Sequence, residues 1–225
     1  MEKMLVNNIA VSILNAENKE KFLSNLKKTI QDLGLNNISA HIDVMDGKFV
    51  KETGVELKYA KVAKELDFFV DVHLMVEKPI KYIDEALKYG ADNITVHLEI
   101  GSLKEVLEYL NKLKNEKKLS SISIAVKPDT KLEKLKEYLD YIDMVLLMTV
   151  EPGKGMQKYI EKVENKMLEL KDSGKILQVD GGINEETIIR AKKCNVNSFV
   201  VGSYLTKNET QLKERLEILN SKVEG

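Results

Sequence analysis

Eight short apolar runs alternate along the chain with longer segments rich in lysine and glutamate. The runs contain many β-branched residues and are nearly continuous in hydrophobicity, which is typical of parallel strands buried on both faces. We therefore predict eight strands at these runs. They are IAVSIL (9–14), ISAHIDVM (38–45), FFVDVHLMV (68–76), NITVHLE (93–99), SISIAVKP (121–128), MVLLMTV (144–150), KILQVDGG (175–182) and SFVVGSYL (198–205).

The segments between the runs have the spacing of amphipathic helices, as in 81–90, 103–118 and 210–223. The segment 103–118 puts its apolar residues on one stripe, formed by Leu103, Val106, Leu107, Leu110 and Leu113. Eightfold alternation of strand and helix is the pattern of an α/β protein with a single (β/α)8 TIM barrel. A doubly wound open sheet is the alternative, but no glycine fingerprint for a dinucleotide follows the first strand. We expect one domain over 1–225.

Composition excludes several classes of protein. The 35 basic and 36 acidic residues give a net charge of -1, so no surface for a polyanion such as nucleic acid is indicated. The single cysteine, Cys194, excludes a disulfide within the chain. The apolar runs are far shorter than the roughly 20 residues of a membrane helix, and the N-terminus lacks the features of a signal peptide. We interpret the chain as a cytoplasmic protein without nucleic-acid or membrane partners. Apolar faces on barrel helices commonly form dimers and larger rings, so we expect a homo-oligomer.

Charged and imidazole side chains fall inside the predicted strands. His41 and Asp43 are two residues apart, so both point to the same face of a strand. His73 and His97 lie in the next two strands, and Asp180 closes the seventh. Buried aspartates are costly unless they are paired or bind a cation. One hypothesis is a divalent transition metal (zinc, iron, manganese or cobalt) bound by His41, Asp43, His73 and Asp180. The alternative is that each histidine is a core residue bonded to a backbone carbonyl, since no compact ligand motif is present.

Glycines follow the last three predicted strands, at EPGKGMQ (151–157), DGG (180–182) and GS (202–203). Any one of them could simply turn the chain. Three glycine turns at adjacent strand ends favour a phosphate site, because glycine lets backbone N–H groups approach an anion and barrels often bind phosphate there. Methionines at three strand ends either fill the core or line the site: Met45, Met75 and Met148.

Several strings of the chain, in order and along nearly its whole length, resemble the ribulose-phosphate 3-epimerase family. They are SIL (12–14), HIDVMDGKFV (41–50), DVHLMVEKP (71–79), AVKPDT (125–130), VLLMTVEPGKGMQKYI (145–160), VDGGIN (179–184) and VGS (201–203). The resemblance implies a metal-dependent isomerase of carbohydrate metabolism. Such an enzyme interconverts D-ribulose 5-phosphate and D-xylulose 5-phosphate through an enediolate, in the pentose phosphate pathway.

The resemblance also implies roles for individual residues. It makes Asp43 and Asp180 the acid/base pair. It assigns the metal ligands to His41, Asp43, His73 and Asp180. It assigns the substrate pocket to Ser12, Met45, His73, Met75 and Met148. It assigns phosphate contacts to Gly153, Lys154, Gly155, Met156, Gly182, Gly202 and Ser203.

The chain departs from the family pattern at positions that carry neither metal ligands nor proton carriers. Lys51 and Glu52 replace the usual Pro-Asn, and Lys154 and Met156 replace the aromatic residue and second glycine of the phosphate loop. These departures leave open a D-allulose 6-phosphate 3-epimerase, with the same chemistry on a hexulose. A sugar-phosphate decarboxylase is a further candidate, although it would need a lysine beside its acids. The last candidate is a barrel that binds sugar phosphate without turnover.

Overall fold

The computed structural model describes residues 6–225 and has eight parallel strands in a closed barrel, which confirms the predicted fold. Each strand pairs with its neighbours in chain order, and β1 closes the barrel by pairing with β8. The strands are β1 Asn8–Ser12, β2 Ile38–Met45, β3 Val70–Met75, β4 Asn93–His97, β5 Ser121–Val126, β6 Met144–Met148, β7 Ile176–Asp180 and β8 Ser198–Val201.

Helices connect the strands and cover the outside of the barrel. Within residues 6–225 the α-helices are α1 Lys19–Leu33, α2 Lys58–Glu65, α3 Ile80–Lys88, α4 Leu103–Asn115, α5 Glu133–Lys136, α6 Glu164–Leu170, α7 Thr187–Lys193, α8 Ser203–Thr206 and α9 Leu212–Glu224. Short 3-10 turns occupy Leu139–Tyr141, Glu161–Val163 and Glu209–Gln211. All five residues of the predicted stripe on α4 are buried, as expected for a helix that packs on the sheet. None of the described helices has the length and apolarity required to cross a membrane.

The strand ends differ from the prediction where polar residues or glycines follow the apolar core of a run. The eighth run was predicted as a strand to residue 205, but β8 ends at Val201 and α8 begins at Ser203. The fourth run was predicted to include Glu99, whereas β4 ends at His97. Apolar runs indicate burial and not backbone geometry, so a buried turn of helix extends the apparent strand.

The interior of the barrel contains a buried polar layer below the strand ends. Asp71 accepts hydrogen bonds from Asn93 Nδ2 (2.6 Å) and Gln178 Nε2 (3.1 Å). Asn8 Nδ2 donates to Ser39 Oγ at 2.9 Å, which connects β1 to β2. The N–H groups of these side chains are paired, as the cost of an unpaired buried polar group favours, whereas Asn8 Oδ1 and Gln178 Oε1 have no partner among the described residues. The layer forms the floor beneath the carboxyl ends of the strands.

Candidate active site

The four candidate metal ligands converge at the carboxyl ends of the strands. His41 and Asp43 are on β2, His73 is on β3, and Asp180 is the last residue of β7. One ligating atom from each side chain lies within 4.8 Å of the others. Parallel pairing of Asp43 with His73 sets one half of the cluster, and barrel closure brings β7 to it from the other side. The sequence hypothesis required this convergence, and the structure contains it.

The facing atoms of the cluster are buried and have no hydrogen-bond partner among the described residues: His41 Nε2, Asp43 Oδ1 and His73 Nδ1. His41 Nε2 lies 3.3 Å and His73 Nδ1 lies 3.4 Å from Asp43 Oδ1, and His73 Nδ1 lies 3.8 Å from Asp180 Oδ2. A buried polar atom without a partner costs about 1–3 kcal/mol. Three such atoms facing one point therefore fit a shared cation. Their mixed nitrogen and oxygen donors suit a transition metal better than magnesium or calcium.

The environment shifts the pKa values of Asp43 and Asp180 in opposite directions. Burial alone would raise the pKa of Asp43, but the electrostatic attraction of the nearby His41 and His73 rings outweighs burial and lowers the pKa well below its usual range. Burial, and next the negative charge of Asp43, raise the pKa of Asp180 to about 6. Two neighbouring carboxyl groups with pKa values pushed apart are a common feature of acid/base sites.

Each of the two histidines also makes a hydrogen bond on the side away from the cluster. His41 Nδ1 lies 2.8 Å from Asp71 Oδ2. His73 Nε2 lies 2.9 Å from His97 Nε2, and His97 Nδ1 lies 3.1 Å from Glu99 Oε2. Burial is the main cause that lowers the pKa of His97 to about 4. These partners limit the rotation of the imidazole rings.

A cavity open to solvent lies above the cluster. Its walls include every residue predicted for the substrate and phosphate sites except His73, and also both aspartates: Ser12, Asp43, Met45, Met75, Met148, Gly153, Lys154, Gly155, Met156, Asp180, Gly182, Gly202 and Ser203. His41 and His73 are fully buried and do not line the cavity, but each lies within 3.4 Å of Asp43, which does. Ser12 Oγ donates a hydrogen bond to Asp43 Oδ2 at 2.6 Å.

The loop after β6 folds over one side of the cavity. Gln157 Nε2 donates to the carbonyl oxygens of Glu151 and Lys154, at 2.6 and 2.9 Å, and so closes the loop on itself. Met156 takes a left-handed conformation with φ of +63°. Gly182 faces this loop, and a Cβ there would lie 2.6 Å from the backbone nitrogen of Tyr159. Glycine at 182 therefore allows the loops after β6 and β7 to approach closely.

Two cavity contacts were not found from the sequence. Lys154 Nζ lies 3.2 Å from Glu52 Oε1, so the loops after β2 and β6 share an ion pair. The Asn15 amide packs against Gly155, where a Cβ would lie 2.3 Å from Asn15 Nδ2. A sequence does not show which loops meet across a barrel mouth, so neither contact had a signal in the residue pattern.

The comparisons with known proteins agree with the site. The family model for the ribulose-phosphate 3 epimerase family matches residues 8–206. The ribulose-phosphate 3-epimerase of Chlamydia muridarum is 32% identical, over 96% of this chain and 96% of its own. That of Bacillus subtilis is 36% identical, over 95% and 99%. The 3-keto-L-gulonate-6-phosphate decarboxylase of Vibrio cholerae has a TM-score of 0.66 at 16% identity, over 97% and 98%, which shows a shared fold.

The match covers the barrel, the cluster and the loops around the cavity. The relatives with the same printed name are isomerases, so the resemblance and the enzyme class predicted from the sequence are both confirmed. The chain therefore belongs to the ribulose-phosphate 3-epimerase family and is an isomerase.

Proposed function

We propose that this chain interconverts D-ribulose 5-phosphate and D-xylulose 5-phosphate by inverting carbon 3, with Asp43 and Asp180 as the proton carriers. The observation that carries the proposal is the meeting of two carboxylates from β2 and β7, with His41 and His73, beneath one cavity. The named activity of relatives that are 32% and 36% identical gives the substrate.

Inversion of a carbon next to a ketone requires removal of its proton on one face and delivery of a proton to the other. Two acid/base groups on opposite sides of the substrate achieve this without turning it over. Asp43 and Asp180 are donated by strands that lie three positions apart around the barrel, through β1 and β8. In our proposal each carboxylate takes the proton in one direction of the reaction and returns it in the other.

The residues present fit one divalent transition metal, which His41, Asp43, His73 and Asp180 would hold. When bound, such an ion supplies electrostatic stabilisation of the negative charge that develops as the proton leaves. The side chains have separate tasks around it. Ser12 holds Asp43 by its hydrogen bond, and Met45, Met75 and Met148 keep water from the reacting carbons.

The phosphate group in our proposal binds at the far side of the cavity, to the loops after β6, β7 and β8. Gly153, Gly155, Gly182, Gly202 and Ser203 line that side of the cavity, and their backbone N–H groups would bind the anion. Lys154 and Met156, which are predicted phosphate contacts, line the same cavity, and Lys154 is paired there with Glu52. The phosphate does not react, and its binding energy serves to hold carbon 3 between the carboxylates.

The test is an assay of purified, zinc-loaded protein with D-ribulose 5-phosphate in heavy water. We expect D-xylulose 5-phosphate with one deuterium, at carbon 3, because the returned proton exchanges with solvent on a carboxylate. Asp43→Asn and Asp180→Asn should each lower turnover by roughly 10²–10⁴-fold with the fold intact. Removal of divalent metal should abolish turnover, and a transition metal should restore it. Wild-type turnover in either variant, or product without deuterium, would contradict the proposal.

The second candidate substrate is D-allulose 6-phosphate, epimerised at the same carbon. It is favoured by the Glu52–Lys154 ion pair at the cavity mouth, which stands where the family pattern has other residues. A comparison of kcat/KM on the two sugar phosphates separates the candidates. A higher value on the hexulose phosphate would replace the first substrate and leave the mechanism unchanged.

A further inference from the structure

A buried chain of hydrogen bonds runs from His73 away from the metal cluster. His73 Nε2 meets His97 Nε2 at 2.9 Å, and His97 Nδ1 meets Glu99 Oε2 at 3.1 Å. The other oxygen of Glu99 accepts the backbone N–H of Lys127 at 3.0 Å. Both imidazole rings are fully buried, so no water competes for these nitrogen atoms. The chain thus connects β3, β4 and the end of β5.

The chemistry of the groups gives this chain a direction. A neutral imidazole has one N–H donor and one acceptor nitrogen, and an ionised carboxylate only accepts. Glu99 accepts at both oxygens, so His97 carries its proton on Nδ1 and presents Nε2 as an acceptor. His73 must then carry its proton on Nε2. The lone pair of His73 is left on Nδ1, the nitrogen that faces Asp43 and Asp180.

We propose that Glu99 and His97 are positioning residues that fix the tautomer of His73 and so make its Nδ1 a metal ligand. The inference rests on the proposed function only in that His73 serves as a ligand. A metal-bound histidine is commonly oriented by the hydrogen bond of its other nitrogen, and the loss of that partner weakens metal binding. What is unusual is that a second neutral histidine, with a tautomer set by a carboxylate, provides the orienting group.

The packing around the two rings supports a fixed arrangement. The rings of His73 and His97 stack with centroids 5.0 Å apart and planes 25° apart. The ring of Phe49 packs on His97 with centroids 4.6 Å apart. The Nζ of Lys127 lies 4.1 Å from the centroid of the Phe49 ring. The backbone N–H of Lys127 also donates the hydrogen bond to Glu99. Rotation of either imidazole would disturb several contacts at once.

A purely structural role is distinguishable, because it requires only that each buried nitrogen has some partner. Glu99→Gln tests this, since glutamine has almost the shape of glutamate but offers only one acceptor oxygen. With that oxygen on the Lys127 N–H, the amide group donates to His97 Nδ1 and reverses the chain. His97 then donates from Nε2, and His73 carries its proton on Nδ1, toward the cluster. If His97 and Glu99 had only a structural role, this reversal of the hydrogen-bond direction would be tolerated. Metal ligation does not tolerate it, because His73 Nδ1 then carries a proton.

His97 offers a matched pair of substitutions. His97→Gln places an amide oxygen near the position of Nε2 and keeps an acceptor for the His73 N–H. His97→Leu keeps a buried side chain of moderate size but removes the acceptor. Thr95→Val is the control. Thr95 is buried on the same strand, and its hydroxyl accepts a hydrogen bond from Asn93, which does not belong to the row of hydrogen bonds from His73 to Glu99.

The experiment measures zinc affinity by competition with a chelator and histidine tautomers by ¹⁵N NMR of histidine-labelled protein. The chain has three histidines, so the signals can be assigned by substitution. In the wild type we expect His97 protonated on Nδ1 and zinc on Nδ1 of His73. Glu99→Gln and His97→Leu should lower zinc affinity by about 10–100-fold, whereas His97→Gln and Thr95→Val should stay close to wild type.

The inference is overturned if the wild-type His97 carries its proton on Nε2, or if Glu99→Gln binds zinc as tightly as the wild type. Thermal unfolding of each variant identifies loss of fold, and if His97→Leu does not fold, Glu99→Gln and His97→Gln still decide. Neither readout uses a sugar phosphate. Failure of the epimerase assay with the expected tautomers and zinc affinities would therefore contradict the proposed function and leave this inference standing.

Discussion

Ser12 is the residue that holds the carboxylate of Asp43 from the cavity side. Its hydroxyl donates to Asp43 Oδ2 at 2.6 Å, while Asp43 Oδ1 faces the histidines. Hydrogen bonds to charged groups contribute about 1.5–3 kcal/mol. Ser12→Ala should therefore lower kcat roughly 10–100-fold, since a less firmly held carboxylate spends less time in reach of carbon 3.

The comparison for this prediction is Ser203→Ala, at the proposed phosphate site. Ser203→Ala keeps the backbone N–H and removes a hydroxyl that lines the same cavity. Loss of this hydroxyl should raise KM and leave kcat unchanged, because the phosphate does not react. Steady-state kinetics of the two variants on D-ribulose 5-phosphate provide the measurement. An unchanged kcat in Ser12→Ala would show that its hydroxyl does not position Asp43.

Met156 has a backbone conformation that suits glycine better. Its φ is +63°, and its side chain is 65% exposed, so little packing offsets the left-handed conformation. Left-handed backbone costs an L-residue about 1–2 kcal/mol. Met156→Gly should raise the free energy of unfolding by up to about 1 kcal/mol, because part of the gain is lost to the entropy of glycine in the unfolded chain.

Lys158→Gly, an exposed position in the same loop without positive φ, is the matched control. It should lower the free energy of unfolding, because glycine there gains unfolded-state entropy without relief of strain. Urea titration followed by circular dichroism measures both. The conformational explanation is wrong if the two substitutions change stability in the same direction.

The inward-facing residues of a strand were predictable from spacing, but their partners were not. His41 and Asp43 share a face because side chains alternate along a strand, and both face the cluster. The contact of His73 with His97 depends on the pairing of β3 with β4, in which His73 lies opposite Thr95. The register between two parallel strands cannot be predicted from the sequence of either strand alone. The hydrogen-bond chain to Glu99 therefore needed the structure.

At the scale of elements, Asp46 joins the loop after β2 to the loop after β3. Its carboxylate accepts the backbone N–H groups of Lys48, Phe49 and Glu77, each at 2.9 Å. Burial alone would raise the pKa of Asp46, but these donors outweigh burial and lower the pKa. The loop that carries Phe49 onto His97 thus depends on one carboxylate.

Asp46→Asn should lower the free energy of unfolding by about 1 kcal/mol at neutral pH, since an amide cannot accept all three N–H groups. The lowered pKa gives the direction of the pH effect. The stabilisation is present above the unfolded-state pKa of about 3.9 and is lost as pH falls below it. The difference from wild type should therefore shrink toward pH 3 in urea titrations. Asp32→Asn on the exposed face of α1 is the control, and a difference for Asp46→Asn that grows with acid would contradict the assignment.

Elements were predictable in number and order, and less so at their ends. All eight apolar runs contain a strand, since short runs rich in β-branched residues are typical of parallel strands that are buried on both faces. The prediction for the run at 198–205 was wrong at its end because Leu205 is buried in α8 as thoroughly as a strand residue is in the sheet. Burial leaves the same apolar signature in both. The Glu52–Lys154 pair was likewise unpredictable, because each partner belongs to a loop without periodicity.

At the scale of the whole molecule, closure of the barrel connects the beginning of the described chain to its end. β1 pairs with β8 from Asn8 opposite Ser198 to Val11 opposite Val201. Asn8 Nδ2 also donates to Ser39 Oγ at 2.9 Å and to Ser198 Oγ at 3.4 Å. One buried side chain thus bridges β2, β1 and β8. We therefore propose that residues 1–225 unfold as one domain, because no strand can leave without opening the barrel.

Asn8→Ala tests this proposal. Loss of its buried hydrogen bonds should lower the free energy of unfolding by about 1–3 kcal/mol. In a single domain the loss shifts one transition, so far-UV circular dichroism and the near-UV signal of the eight tyrosines should move together along urea. Lys28→Ala, on the exposed face of α1, should change stability by less than about 0.5 kcal/mol. The proposal is wrong if two transitions appear and Asn8→Ala shifts only one of them. The bridge between β1 and β8 would then stabilise one part of the chain without the other, and the two parts would fold separately.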